Sequence, residues 1–577
     1  MKRPLLAVAL FLPALLAQLS RDAPRLDADA VEYYAHLRSL YHDRDLDFAN
    51  EFEHFGILTR GDKTNPTPTG HRRTIFSVGP ALLWLPFYAA GDVAARAVGD
   101  AQDGYSPWYV RAVCVGSLVY IVIGLLLVHA LLAPLFPDTA TPTVLLLLYA
   151  TMLWWYATVE PVMSHPGSFF LAALALSLFW PAREALSLRR GLLLGFVIGV
   201  AATVRWQSAV LLLLPALGLA PRLRRAPAAT VRTGLATLAA FAVGALPQML
   251  AWNAIFGQYL LADPPHGRDF LRLDHPYLLQ TFFSSRHGLL YWTPVLWAGF
   301  LGLLAYLRRD FRGALLLLVP VAAMSYVNAC SGDWWAGGSY SNRRFDSLLP
   351  FLAVGMAHAI SQAFAAARRR PDLALAGFGG ALALWNVLLM AQYKQVRLPL
   401  DDTVSFARVV ENAAAIVQGA TGTPLAWPAN WLFAARHGLG AGRYDLMVGK
   451  YLFYRQQNLG GVIDLGDPRA DPALVGPGWG GLRNCESVQC RAVVTRARLL
   501  APLDVPEPLE VAVRARGEGV LELAVNGVGV AAWPLRERLS ESLVRVPRER
   551  FRRELNDLSF TVSGSADVDR VRFTRLP

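Results

Sequence analysis

G-L-L-L-G-F-V-I-G-V-A-A-T-V-R-W-Q-S-A-V-L-L-L-L-P-A-L-G-L-A, residues 191–220, decides the fold. It reads either as one long helix or as a hairpin of two short arms with Arg205 near the tip. As one span it would put R-E-A-L-S-L-R-R (183–190) and R-L-R-R (222–225) on opposite sides of a bilayer. Short basic loops collect on the cytoplasmic side, so both belong on one side and the hairpin is preferred. Each arm has about 14 residues, or about 21 Å at 1.5 Å per residue, against a hydrocarbon core of about 30 Å. Arg205 then stops short of the far surface and sits in a cavity.

The rest of the chain agrees with a membrane setting. Of 577 residues, 54% are hydrophobic and only 17% charged, and the mean hydropathy is +0.34. This composition excludes an ordinary soluble enzyme of this size. The expected spans are 4–19, 107–134, 142–159, 166–182, 191–204, 207–220, 234–252, 288–307, 313–330, 347–367 and 373–392, about eleven transmembrane helices. The first follows Lys2 and Arg3 and reads as a signal-anchor or a cleaved signal peptide; either way residue 21 emerges outside. Residues 75–98 could be a further span, but that would expose the basic loops 308–312 and 368–370. They are read instead as an amphipathic or re-entrant segment on the outer face, broken by Pro80 and Pro86. The net charge of +12 suggests nucleic acid at first sight, yet the arginines lie mainly in short loops between apolar runs. No nucleic-acid partner is expected; the lipid bilayer is.

After residue 394 the apolar runs stop. Residues 396–490 form a mixed connecting region with Gly and Pro clusters. Residues 491–577 turn strand-like, with V-A-V-R-A-R (511–516), L-E-L-A-V-N (521–526), L-S-F-T-V (558–562) and V-R-F-T-R (571–575). Gly517-Glu518-Gly519 and Asn526-Gly527 read as the turns between them, and a small extracytoplasmic β-sandwich is expected. It is either a glycan-gripping module or a structural cap. Cys485 and Cys490 could pair there, or remain two free thiols. The fold class is thus a polytopic α-helical membrane protein, with residues 1–395 as the membrane domain and a C-terminal β-domain outside the cytoplasm.

Four outer segments hold the chemistry. L-D-A-D-A-V-E-Y-Y (26–34) places Asp27, Asp29 and Glu32 just past the first apolar helix. Residues 21–55 carry nine Asp or Glu against four Arg. A D-x-D pair can hold a divalent metal through hard oxygens, with Glu160 completing the set. Alternatively one carboxylate takes a proton from an acceptor hydroxyl, or the loop is merely solvated. Glu160 and His165, in T-V-E-P-V-M-S-H-P, sit where one span ends and another begins, as an interfacial cap or as partners of the first carboxylates. Arg205, Arg286, Arg343 and Arg344 run against the positive-inside bias. Guanidinium matches phosphate with several donors, so they are read as phosphate contacts; snorkelling of Arg343 and Arg344, or their pairing with Asp346, is the competing view. Trp334 and Trp335 follow Asp333 in a glycine-containing loop. They stack on a sugar or simply mark the interface. No P-loop, G-x-S-x-G or H-E-x-x-H is present, which leaves ATP-driven, serine-hydrolase and zincin chemistry without support.

Together these segments resemble the GT-C superfamily of membrane glycosyltransferases, in particular bacterial relatives of protein O-mannosyltransferases and of the lipid A aminoarabinose transferase. The resemblance covers about residues 1–395. It rests on D-A-D-A-V-E-Y-Y-A-H-L-R-S-L, D-R-D-L-D-F-A-N-E (43–51), F-S-V-G-P-A-L-L-W-L-P-F, M-S-H-P-G-S-F-F, S-S-R-H-G-L-L-Y-W-T-P and W-W-A-G-G-S-Y-S-N-R-R-F-D. These motifs are distinctive together and weak singly. The resemblance implies an inner-membrane enzyme that takes a sugar from a polyprenyl-phosphate donor. The acceptor would be a lipid, glycan or protein hydroxyl on the outer face. It implies an Asp general base after the first helix, Asp29 first and Asp27 second, and a lipid-phosphate contact at Arg205. It requires no cofactor, with a divalent metal as an option. One departure stands out: oligosaccharyltransferases carry W-W-D followed by Gly, whereas the order here is Asp333-Trp334-Trp335, which argues against a peptide acceptor. Two rivals remain. A flippase for lipid-linked glycans would show internal repeats with broken helices at the midplane. A non-catalytic glycan-binding protein would tolerate replacement of the outer carboxylates.

Overall fold

A computed structural model describes residues 3–20, 26–59, 61–260, 270–366, 371–447, 461–467, 474–494, 496–503 and 505–576. The chain divides into two compact units, Met1–Val410 and Glu411–Pro577.

The first unit is helical. Among the described residues, five helices are long and apolar enough to cross a membrane: Pro107–Leu132, Pro227–Phe256, Phe311–Ala329, Arg343–Ala366 and Asp372–Lys394. Pro4–Leu19, Ala140–Tyr149 and Leu296–Tyr306 are shorter apolar helices. The expected count of eleven is not confirmed by these helices, since several apolar runs are interrupted. Residues 142–159 split into Ala140–Tyr149 and Leu153–Thr158. At the break, the Thr151 hydroxyl donates to the Leu147 carbonyl and accepts from Leu153 N–H, competing with the helix ladder. Residues 288–307 split at Thr293-Pro294, where proline removes a donor and bars helical geometry before it.

The run 191–220 turns at Arg205. Leu188–Val204 is a helix, Arg205 is extended at φ −148° and ψ 117°, and a 3-10 helix, Trp206–Leu212, leads into Leu213–Leu219. The two ends of this run return to the same place. Arg222 Nη1 donates to the Leu186 carbonyl at 2.7 Å, Arg183 lies 3.8 Å from Asp310, and Arg312 pairs with Glu184. The basic loops 183–190, 222–225 and 308–312 thus share one end of the bundle, as the charge pattern requires. The loop 368–370 lies outside the described residues.

Small residues set the closest helix pair. Gly191, Gly195 and Gly199 repeat every fourth position on the Leu188–Val204 helix. A Cβ on Gly195 would collide with the Thr237 carbonyl, and one on Gly199 with that of Phe241. This close approach gains dispersion where lipid offers no hydrophobic drive.

Residues 75–98 depart from expectation. Gly79–Val98 is one helix of 20 residues, unbroken by either proline. Pro80 falls in the first turn, where its missing N–H has no partner to lose. Pro86 lies inside the helix without ending it, and the Leu83 carbonyl in the turn before it accepts from Tyr120 Oη at 2.7 Å. Trp84, Tyr88, Asp92 and Ala95 form the buried face, and Val93 and Val98 are exposed.

The second unit carries an eight-stranded sheet: β1 (Val462–Asp464), β2 (Trp479–Cys485), β3 (Val488–Val493), β4 (Arg496–Leu503), β5 (Leu509–Val525), β6 (Val528–Pro534), β7 (Ser540–Val546) and β8 (Glu554–Arg575). Strands β5 and β8 pair antiparallel from Leu509↔Arg575 to Val525↔Leu558. One half is flanked by β7, β1 and β3, the other by β6 and β4. Gly517-Glu518-Gly519 is therefore not a turn between strands. It is a bend inside β5, opposite Gly564 of β8, with all three glycines at positive φ. One apolar core draws on both halves, so the expected sandwich is a single sheet whose long strands pass through a bend. Asn526-Gly527 does turn, at φ 51° and 84°, as a two-residue hairpin requires. The expected domain start at 491 is late, since β1 to β3 begin at 462 and join the same sheet. Cys485 and Cys490 form a disulfide across the β2–β3 hairpin; Cys114 and Cys330 are free and buried.

Candidate active site

The Asp29–Arg38 helix aims Asp29 and Tyr33, one turn apart, the same way. Arg343 Nη1 donates to Asp29 Oδ2 at 2.8 Å. Tyr33 Oη donates to Ser164 Oγ at 3.1 Å. Ser164 precedes the His165–Phe179 helix and also accepts from Arg205 Nη1 at 3.2 Å. Arg205 reaches Ser164 because its own helix has just ended, which frees the backbone to turn the guanidinium toward this cluster. The acidic segment 26–34, the Glu160–His165 turn, the Arg205 break and the Arg343 segment thus meet at one place.

Beside Arg205 lies a buried pair. His165 Nδ1 is 2.7 Å from Asp346 Oδ2, and both side chains are 1% exposed. Ser168 Oγ donates to Asp346 Oδ1 at 3.0 Å, and Ser347 N–H donates to the same oxygen. A carboxylate only accepts, so it assigns the proton to Nδ1 of His165. Arg205 Nη1, 3.3 Å from that nitrogen, then finds no acceptor there and is directed to Ser164. Asp346 therefore does not neutralise Arg343 or Arg344, as its spacing in N-R-R-F-D suggests. It serves a histidine 181 residues away.

Glu160 completes the arrangement from its turn, within electrostatic reach of both Arg343 and Asp29. Burial raises its carboxyl above the ordinary range, against the pull of Arg343.

The other expected residues fall elsewhere. Asp27 turns away: its Oδ1 accepts from Ala28 N–H at 2.8 Å, and Ala28 sits at φ 47° between the two aspartates. Glu32 faces residues 63–74, accepting from Lys63 Nζ at 2.9 Å and Thr74 Oγ1 at 2.8 Å. Arg344 pairs with Asp333, not with the cluster. Arg286 stacks on Trp335, its Cζ 3.6 Å from the ring centroid, so that face is already covered by a cation. Trp334 lies edge-on to Trp335 and 6.4 Å from the Tyr277 ring. Among the described residues, no group of three or more His, Cys, Asp or Glu is placed to hold a metal ion, so Asp27, Asp29 and Glu160 do not form the expected ligand set.

Strain gathers in these same loops. Ala28, His287, Ala336 and Ser341 all hold positive φ without being glycine. Such conformations cost about 1–3 kcal/mol each and persist where the surroundings over-determine them. Sequence reasoning missed Tyr33, Ser164, Ser168 and the partner of Asp346. The M-S-H-P turn was the only signal, and it named His165 alone.

A cavity of about 570 Å³ opens beside the segment that follows Arg205. Ala209, Val210, Leu213 and Ala216 line it on one side, Leu238 and Ala323 on the other.

No protein-family model matches this chain, and no curated protein does. Among solved structures, the chain is similar to ArnT from Cupriavidus metallidurans bound to undecaprenyl phosphate. The identity is 16% and the TM-score 0.42, over 75% of this chain and 72% of that one. It is also similar to arabinosyltransferase EmbB from Mycobacterium smegmatis, at 12% identity and a TM-score of 0.37, over 99% of this chain and 64% of that one. At TM-scores below 0.5, the chemistry rests on the residues and distances above.

Proposed function

We propose that this protein transfers a sugar from a polyprenyl-phosphate donor to an acceptor hydroxyl at the outer face of the cell membrane, with inversion. The observation that carries it is the Asp29–Arg343 ion pair beside Arg205. It brings one proton acceptor and two guanidinium groups together at the end of the bundle opposite the basic loops. In the resting enzyme Arg343 holds Asp29. When the donor phosphate arrives, Arg343 turns to it, as guanidinium pairs with phosphate through two parallel hydrogen bonds. Asp29 Oδ2 is then free to accept the proton of the acceptor hydroxyl. The acceptor oxygen bonds to the anomeric carbon from the face opposite the phosphate. The bond from that carbon to the phosphate oxygen breaks, and its electrons leave with the lipid phosphate. Arg205 and Arg343 stabilise the charge that develops there. Glu160 orients the acceptor. The apolar cavity after Arg205 takes part of the prenyl chain.

The Cys485–Cys490 disulfide supports an extracytoplasmic C-terminal unit, because such bonds persist in oxidising compartments. The test is to incubate the purified protein with a panel of polyprenyl-phosphate sugars and measure released polyprenyl phosphate. Release with one donor and a suitable acceptor is expected. Movement of intact donor across a vesicle membrane with no release would replace the enzyme by a transporter.

A further inference from the structure

The Trp427–His437 helix has two apolar faces, and the fold uses one. On the inner face Phe433 packs against the sheet core and meets His437 and Tyr444, ring centroids 4.7 and 5.9 Å away. Arg436 ties the same helix to β8 through Glu554 at 2.7 Å. On the outer face Trp427 and Trp431 stack one turn apart, centroids at 5.8 Å and planes 14° from parallel. Leu432 adjoins them, and Leu425 precedes them in the 3-10 turn Pro424–Ala426. Their exposures are 39% for Trp427, 56% for Trp431, 61% for Leu432 and 99% for Leu425.

This tip is held in shape from behind. Asp445 accepts from Thr423 N–H at 2.9 Å, Thr423 Oγ1 at 2.8 Å and Asn430 Nδ2 at 3.0 Å. Trp427 Nε1 donates to the Gly422 carbonyl at 3.2 Å. The preceding helix, Phe406–Thr421, leads into the turn, and from Asn412 to Ala435 there is no Asp, Glu, Lys, Arg or His. A rigid, uncharged hairpin that presents two tryptophans and two leucines is not what a water-facing surface selects.

One occupant fits this chemistry best. The chain crosses a membrane shortly before this hairpin. The span Asp372–Lys394 ends eleven residues ahead of Phe406, a tether of at most about 40 Å when fully extended. Tryptophan rings settle at the headgroup level of a bilayer, that of Trp427 with its N–H already satisfied by Gly422, and an uncharged flank leaves no ion to be desolvated. We propose that Leu425, Trp427, Trp431 and Leu432 seat in the headgroup–acyl boundary of the outer leaflet and anchor the C-terminal unit to the bilayer surface. This anchoring is independent of whether the chain transfers sugar.

The test uses the full chain in phosphatidylcholine–phosphatidylglycerol liposomes. Leu425→Cys, at a fully exposed site that the fold does not need, is labelled with an environment-sensitive fluorophore. Val528→Cys, on the β5–β6 hairpin, serves as the reference. Cys114 and Cys330 are buried and Cys485 and Cys490 are paired, so the label goes to the new thiol. The label at 425 is expected to be quenched by shallow spin-labelled lipid and sheltered from aqueous iodide, with the reverse at 528. Full iodide access at 425 without lipid quenching would overturn the proposal. So would shelter from both quenchers, which would mean that a second copy or another protein covers the tip.

Discussion

Replacing Asp29 by Asn separates the chemistry from the scaffold. Asparagine keeps the shape of the side chain, and its carbonyl oxygen still accepts from Arg343 Nη1, now at 2.8 Å from Asp29 Oδ2. The two side chains are 18% and 26% exposed. A pair this far from solvent exceeds a surface salt bridge, but Glu160 stays within reach of Arg343, so the melting temperature should fall modestly and turnover is measured well below it. The proton acceptor, however, is gone. A positioned general base contributes about 10²–10⁴ in rate, or about 3–5 kcal/mol at 1.36 kcal/mol per decade. Release of polyprenyl phosphate in nanodiscs, followed at saturating donor, should therefore fall by that factor in kcat. Asp27→Asn is the matched control. Asp27 is exposed and its carboxylate accepts from the neighbouring Ala28 N–H, so its rate should stay within about threefold of wild type, under 1 kcal/mol. The assignment fails if Asp29→Asn keeps near-wild-type turnover, or if Asp27→Asn loses as much. A rise in donor KM at unchanged kcat would also sink it, since Asp29 would then act only by holding Arg343.

Three further outcomes follow from particular residues. Asp346→Asn replaces an acceptor-only group by one that can donate to His165 Nδ1, which inverts the imidazole tautomer and opens Nδ1 to Arg205; donor KM should rise about tenfold or more, the equivalent of about 1.4 kcal/mol, and a fall in melting temperature with unchanged KM would make the pair purely structural. Burial lowers His36, on the Asp29–Arg38 helix, from 6.5 to about 4. Between those values the unfolded chain takes a proton that the folded one refuses, so stability falls as pH drops through this window, by at most about 3.4 kcal/mol. His36→Phe keeps the ring against Phe48 and removes the titration, so thermal melts should show it gaining on wild type from pH 7 to 4; parallel acid limbs would refute this. Gly195→Ala places a methyl against the Thr237 carbonyl. The helix pair must part, at a cost of about 1–3 kcal/mol or more, read as lost monodisperse protein in size-exclusion chromatography; unchanged yield and melting temperature would contradict the packing.

The sequence and the structure agree where the signal is local or additive. Charge counting over short loops placed 183–190, 222–225 and 308–312 at one end, and the Arg222–Leu186 and Arg183–Asp310 contacts bear it out. Local breaker signals misled twice. Proline was given more power to break the Gly79–Val98 helix than it has, and Gly517–Gly519 was read as a turn because glycines inside a long strand and glycines that end a short one look alike.

What the sequence determined by itself is the membrane class, the shared end of the basic loops and the break at Arg205, because these follow from composition, charge and span length. Which arginine meets which carboxylate was decided only by the tertiary structure. Asp29 takes Arg343, Asp333 takes Arg344, Trp335 takes Arg286 and Asp346 takes His165. The physical reason is that helix phase and loop conformation set where a side chain points. The positive φ at Ala28 separates Asp27 from Asp29 within two residues, and packing brings His165 and Asp346 together across 181.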